Sequence, residues 1–176
     1  FDDLLQASAE AWVRIWEKAD IRVQGDRMAQ KLLRLHTYHL ACTTSPHNVF
    51  IDWGIPARGL SGEAYRGHIF WDELYILPFY FYHFPEVARA VLMYRHRRMD
   101  EASAYARAQG HQGLLFPWQS GSSGREETQQ YHYNPLSGQW GPDHSSLQRH
   151  VNLAIAYNVI RYYQCTADRE FMLDYG

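Results

Sequence analysis

The feature that most limits the fold is a recurring helical period, interrupted by two long stretches that have none. Residues 3–19, DLLQASAEAWVRIWEKA, place Leu5, Ala9, Trp12, Val13 and Trp16 on one helical face. A second helix is predicted from Gly25-Asp26 to about Thr43, with Asp26 as N-cap and Met28, Leu32, Leu35 and Leu40 as its apolar positions. A third is predicted from about Ile69 to Tyr82, where Pro78 requires a kink or a tightened turn. PEVARAVLMYRHRR opens on Pro85, a favourable first-turn residue. DEASAYARAQ, residues 100–109, is a short helix stopped by Gly110. The last long helix runs from about Ser146 to Thr166, with Leu147, Val151, Ala154, Tyr157 and Ile160 on one stripe, and REFMLDYG begins another.

The two interruptions are residues 45–67 and 110–145, both rich in Gly and Pro. Irregular segments of that length inside a compact domain are usually functional or disordered. The first carries Trp53, Arg58, Tyr65 and Arg66, which favours function. Within the second, YHYNPLSGQW fits a small β-hairpin around a Pro/Gly turn. Helices joined alternately by short turns and long loops point to an all-α layer or barrel whose loops build a site at one end.

Composition narrows the function classes. A chain of 176 residues is about one domain. Six Trp and thirteen Tyr suit either a binder of flat, ring-shaped ligands or a thickly packed helical core. A net charge of −2 leaves no global nucleic-acid footprint. The one basic cluster, Arg95-His96-Arg97-Arg98, ends a predicted helix, where cations complement the dipole. Cys42 and Cys165 have no metal-type or disulfide-framework spacing, so a reducing, cytoplasmic setting fits. The apolar run from Ile69 to Phe84 is broken by Asp72, Glu73, Pro78 and His83, and no membrane partner is expected. The start at Phe1 suggests that something upstream was removed.

The chemistry-bearing candidates are few. Glycoside cleavage needs two carboxyl groups roughly 5 to 9.5 Å apart across one bond. Asp72 and Glu73 are neighbours on a predicted helix and project about 100° apart, so they cannot straddle a bond. Either one of them points into a site or both are first-turn acids favoured by the dipole. Trp118 and Gln119 could supply an aromatic face and an amide to a sugar, or the Trp could simply anchor its loop. The following GSSG lacks the Gly-Lys-Ser/Thr of a phosphate loop, and the charges of GREETQ suit a helix start. Among ten histidines, His36, His39, His144 and His150 form no HExxH or Cys/His ligand set, so no metal is expected. QSGSSG is not a nucleophile elbow.

Four stretches together resemble the catalytic domain of glycoside hydrolase family 65, which contains maltose, trehalose and kojibiose phosphorylases and related α-glucosidases. They are ADIRVQGD (19–26), IPARGLSGEAYRGHIFWDEL (55–74), GLLFPWQSGSSGREETQ (113–129) and QRHVNLAIAYNVIRYYQCTAD (148–168). The resemblance implies an all-α fold: a partial (α/α)6 barrel with long site-forming loops, residues 1–24 as a linker helix and 25–176 as the first part of the barrel. It implies inverting chemistry on α-glucosides, by inorganic phosphate as co-substrate or by water, with no other cofactor. Trp71 and Asp72 match the family's FWD segment, which contacts the glucose unit at the cleaved end. Trp118 matches a residue lining the acceptor side, and Arg66 and Gln119 join the expected substrate-binding set.

Three departures matter. Gln119 stands where many members carry a Glu. Glu73 occupies a Thr position with no acid after it. GPDHS at 141–145 lies before the AIAY helix and carries His144 where the family's general acid stands in a later Gly-Pro-Asp-Glu-Tyr segment. The general acid is therefore expected downstream of Gly176, and this chain is expected to carry part of a sugar-binding wall without the acid. The disaccharide or α-glucoside partner, and a second copy or the remainder of the same chain, are the partners expected. A non-catalytic carbohydrate-binding or structural helical domain is the alternative reading.

Overall fold

The computed structural model describes residues 1–60, 62 and 64–176; Ser61 and Glu63 of the expected binding segment lie outside the described residues. Among the described residues seven α-helices and one hairpin are formed: α1 (Asp2–Ala19), α2 (Arg27–Thr43), α3 (Glu73–His83), α4 (Pro85–His96), α5 (Met99–Ala108), β1 (Tyr131–Asn134), β2 (Gln139–Pro142), α6 (His150–Thr166) and α7 (Arg169–Asp174). Asp26 caps α2 as expected, its carboxylate accepting from the amides of Met28 and Ala29 at 2.9 Å. The hairpin is antiparallel, with Tyr133 opposite Trp140 and Tyr131 opposite Pro142. Among the described residues no helix is long and apolar enough to cross a membrane.

The third helix begins four residues later than its apolar run suggested. Ile69 and Ser120 exchange backbone hydrogen bonds of 2.9 Å in each direction, so the chain is still extended at Ile69. Trp71 and Asp72 form the turn into α3, with Pro78 inside that helix. The charges of GREETQ begin no helix either. Glu127 N donates to Gln119 O at 2.9 Å, and Ser120 pairs in antiparallel fashion with Glu126, which keeps this segment extended.

The core lies where α3, α4 and α6 meet, with α7 packed on α6. Leu77, Tyr80, Val87, Val91, Tyr162 and Phe171 are buried there. Helix α1 joins it only at its C-terminal end: Ala19 is buried, and the ring of His83 donates to Lys18 O at 2.7 Å. The expected apolar stripes of α1 and α2 are mostly exposed, including Leu5, Val13, Met28, Leu32 and Leu35. Trp12 stacks on Tyr38 at 5.2 Å between these two helices. The stripe of α6 is also shifted. Its buried face is Val151, Ala154, Asn158 and Tyr162, whereas Leu147, Tyr157 and Ile160 are exposed.

One buried ion pair ties the core to the loops. Glu73 is 4% exposed and Arg95 3%. Arg95 Nη2 donates to Glu73 Oε2 at 3.1 Å and to the carbonyl of Phe70 at 2.8 Å. Glu73 also accepts from Ile55 N at 3.3 Å. Burial pushes the Glu73 carboxyl up and the Arg95 charge pulls it back. Protonating Glu73 would strand a buried cation, so the ion pair is the form this geometry supports. The basic run 95–98 is structural, as expected, but it acts through specific pairs rather than through the dipole alone.

Two stability measurements follow. Glu73→Ala leaves Arg95 unpaired and is expected to cost about 3 to 5 kcal/mol, while joint replacement by Glu73→Leu and Arg95→Met is expected to recover most of it. Ala167 ends α6 at φ 54°, in the left-handed region. Ala167→Gly is expected to stabilise the fold by about 0.5 to 1 kcal/mol, because relief of the left-handed conformation outweighs the added unfolded-state entropy. Denaturant midpoints of the full-length protein check both.

Candidate functional site

The extended pairing of 69 with 120, and of 119 with 127, brings two distant stretches of chain side by side and folds the second back on itself. Their side chains build an aromatic cluster. Phe70 meets Trp118 edge-on at 5.5 Å, and Trp71 lies 6.3 Å from Trp118. His150, at the first turn of α6, sits 4.6 Å from Trp71 and 4.8 Å from Trp118, so it joins the two indoles. Tyr65 adds its ring against Phe70 at 5.2 Å.

Two recesses flank the cluster. One is a cleft of about 290 Å³ that receives Arg66, Phe70, Trp118 and Gln119 from one side and Gln129, Asp143 and Ser145 from the other. The second is an apolar groove of about 280 Å³ between Trp71, Leu74, His150, Leu153 and Tyr157. Each is large enough for about one sugar ring, at the small end of ligand sites. A further cavity of about 300 Å³ lies between α2 and residues 55–60; Arg58 of the first loop lines it, but none of the expected substrate-binding residues does.

The walls of the cleft are held by polar contacts. Glu126 accepts from Trp118 N at 2.8 Å, Gln119 N at 3.3 Å and Thr128 N at 3.0 Å. The Gln119 side chain is buried, and its amide nitrogen lies 2.6 Å from Nδ1 of His68. The amide donates to an unprotonated ring nitrogen, which fixes both groups. Arg66 donates to Glu127 O at 2.9 Å. Tyr65 and Arg66 hold φ of 65° and 55°, and Gly67 follows at 70°. Two consecutive non-glycine residues in the left-handed region store strain of the kind found at binding sites.

Asp72 occupies the N-cap position of α3 without using its carboxylate as a cap. It is half-buried and lines neither recess, and burial raises its pKa. Glu73 points the other way, into the core, so the two neighbours are not an acid/base couple.

The structure thus brings Arg66, Trp118 and Gln119 into one cleft, sets Trp71 in the adjoining groove against Trp118, and leaves Asp72 beside them. Sequence reasoning missed His68, Glu126 and His150 as members. For Glu126 a signal existed: Glu126 and Thr128 sit two apart, the period of an extended segment whose alternate side chains share a face. His68 and His150 had none, because each is placed by a partner far along the chain. Among the described residues no cluster of three or more His, Cys, Asp or Glu side chains could hold a metal ion.

Comparison with known proteins agrees with this architecture. The profile of the glycosyl hydrolase family 65 central catalytic domain matches residues 34–176. The chain is 49% identical, over its whole length, to an uncharacterized glycosyl hydrolase of Mycobacterium tuberculosis, of which it covers 13%. It is 43% identical to trehalose 6-phosphate phosphorylase of Lactococcus lactis over 94% of the chain and 22% of that protein. It is 39% identical to kojibiose phosphorylase of Escherichia coli over 100% of the chain and 24% of that protein. A solved structure from the human microbiome, provisionally assigned as a kojibiose phosphorylase, superposes with a TM-score of 0.79 at 29% identity, covering 100% of this chain and 22% of that one. The chain therefore spans a quarter or less of the length of these relatives. Its fold is the all-α, partial (α/α)6 barrel with site-forming loops that the resemblance implied. The chain belongs to glycosyl hydrolase family 65.

Proposed function

We propose that the protein cleaves an α-linked glucoside with inversion, using inorganic phosphate as co-substrate, and that this chain supplies part of the sugar-binding wall. The observation that carries the reading is the Trp71–His150–Trp118 cluster set between the polar cleft and the apolar groove. Indole faces cover the apolar faces of a sugar ring, while flanking amide, guanidinium and carboxylate groups take its hydroxyls. The phosphorylases among the relatives support phosphate over water as the attacking group. No further cofactor enters this reading. Helix α1 serves as a linker into the barrel portion that starts near residue 25.

Each expected site residue then has a role. Trp71 and Asp72 bind the glucose unit at the cleaved end. Trp118, Gln119 and Arg66 face the acceptor side. A half-buried carboxylate that accepts nothing from another described residue is unfavourable, and sugar hydroxyls relieve it. Hydroxyl donors favour the charged form, so sugar binding pulls the Asp72 pKa down from its raised value. Affinity is therefore expected to weaken as pH falls through that raised value and to recover above it.

The test uses the full-length protein with maltose, trehalose, kojibiose and nigerose, with and without phosphate. Release of glucose 1-phosphate from one of them, only when phosphate is present, is the expected outcome. If all four are inert under both conditions, this reading is wrong. Trp118→Ala and Asp72→Asn are each expected to weaken sugar binding about tenfold or more by calorimetry. Asp72→Asn is also expected to flatten the pH dependence. It should leave Tm at neutral pH unchanged or raised, because an acid whose pKa is raised by folding opposes the fold above that pKa.

A further inference from the structure

Among the described residues, Arg98 is the best-connected side chain outside the binding set. It is 7% exposed, and all five of its N–H groups have acceptors. Nη1 and Nη2 grip the two carboxylate oxygens of Asp52 at 2.9 and 3.0 Å. Nε and Nη2 both donate to the carbonyl of Ser122, at 3.0 and 2.7 Å. Nη1 also donates to Tyr94 O at 2.9 Å, and the guanidinium lies 3.8 Å from the centre of the Tyr94 ring. The Arg98 pair lowers the Asp52 pKa and keeps it charged, while Arg97 adds a contact at 3.2 Å.

These contacts join the two long loops. Asp52 belongs to the first, two residues before Gly54, where an added Cβ would lie 2.6 Å from Ile69 Cδ1. Ser122 belongs to the second, three residues after Gln119. The second loop also rests on the stem of Arg98. At Gly124, with φ +75°, an added Cβ would lie 2.8 Å from Arg98 Cγ. Tyr94 grips the same loop through Ser120 Oγ at 2.6 Å. The segment that follows Trp118 and Gln119 is thus held by Tyr94 of α4 and by Arg98 at the junction of α4 and α5.

We propose that the Arg98–Asp52 pair is a latch between the two loops that positions Trp118 and Gln119 and thereby sets the affinity of the cleft for its sugar. The proposal rests on the sugar-binding reading of that cleft. Arg98 touches no substrate and is a positioning residue. Its planar fork is what the geometry needs: lysine keeps the charge but cannot bridge a carboxylate and a carbonyl in one plane.

The test compares wild type, Arg98→Lys, Asp52→Asn and the control Arg34→Lys in the full-length protein. Arg34 pairs with Asp20 at 2.7 Å and lines no part of the cleft. Arg98→Lys is expected to raise KM for the disaccharide that wild type cleaves about tenfold, with kcat changed less than about threefold. Asp52→Asn should move KM in the same direction, and Arg34→Lys should not. Loss of folded protein alone would lower apparent kcat and leave KM unchanged, and that result overturns the proposal. Hydrogen exchange is read in parallel. Amides of 118–124 should exchange faster in Arg98→Lys, whether or not any sugar is turned over. If wild type cleaves none of the disaccharides, the sugar reading fails, and unchanged exchange at 118–124 would then overturn the latch as well.

Discussion

The Arg95–Glu73 pair is the contact on which the site geometry depends. Both side chains are inside the core, and together they bracket Trp71 and Asp72. Arg95 holds the carbonyl of Phe70 just before that dipeptide and the carboxylate of Glu73 just after it. Glu73 in turn fixes Ile55 N, which brings the first long loop down on the start of α3. A buried pair of this kind adds little net stability over an apolar replacement, but it admits one arrangement. Here the arrangement presents Trp71 to the groove and turns Asp72 away from the core.

The end of α4 extends the same logic. Arg95 lies in the last turn of α4 and Arg98 is the N-cap residue of α5, so the two guanidinium groups leave the same helix junction. Arg95 serves the Trp71 side of the cluster, and Arg98 serves the loop that carries Trp118 and Gln119. The two walls also meet directly through the Ile69–Ser120 pairing. The floor beneath the aromatic cluster is therefore held by ionic and backbone bonds, and the rings above it are held mainly by one another. His150 fits this division, because α6, packed on α3 and α4, delivers it to the junction of the two indoles.

Helix existence was legible in the sequence because it depends on local period and on punctuation such as Asp26, Pro85 and Gly110. Helix orientation was less so. On α6 the stripe read from the sequence is offset from the buried one, since apolar residues such as Leu153, Tyr157 and Ile160 lie on more than one face of that helix and the neighbours α3 and α4 decide which face is covered. The start of α3 was misplaced for a similar reason. Ile69 is compatible with helix locally, but it pairs with a residue some fifty positions away. The candidate site was partly legible. Trp118, Gln119 and Arg66 stood out by residue type in the two long loops and Trp71 through resemblance, and the structure gathers them. The separation of Asp72 from Glu73 followed from helix geometry alone. The supports were not legible. His68 and Arg98 act across the fold, and their letters read as ordinary surface charge or helix-end residues, whereas Glu126 left only the weak two-residue period it shares with Thr128.

Two local irregularities fall beside the aromatic cluster. Tyr65 and Arg66 adopt left-handed backbone without being glycine, and Asp72 is desolvated without a described partner. Each is locally unfavourable. Neither contributes to the core, which is built of conventional helix packing. Their cost is tolerable because Arg95 and Arg98 lock the adjoining segments, leaving these residues no relaxed alternative that keeps the buried pairs. Local rules broken above a rigid support are what a preorganised binding surface requires. A ligand with ring faces and hydroxyl donors would satisfy both the aromatic walls and the half-buried Asp72 carboxylate.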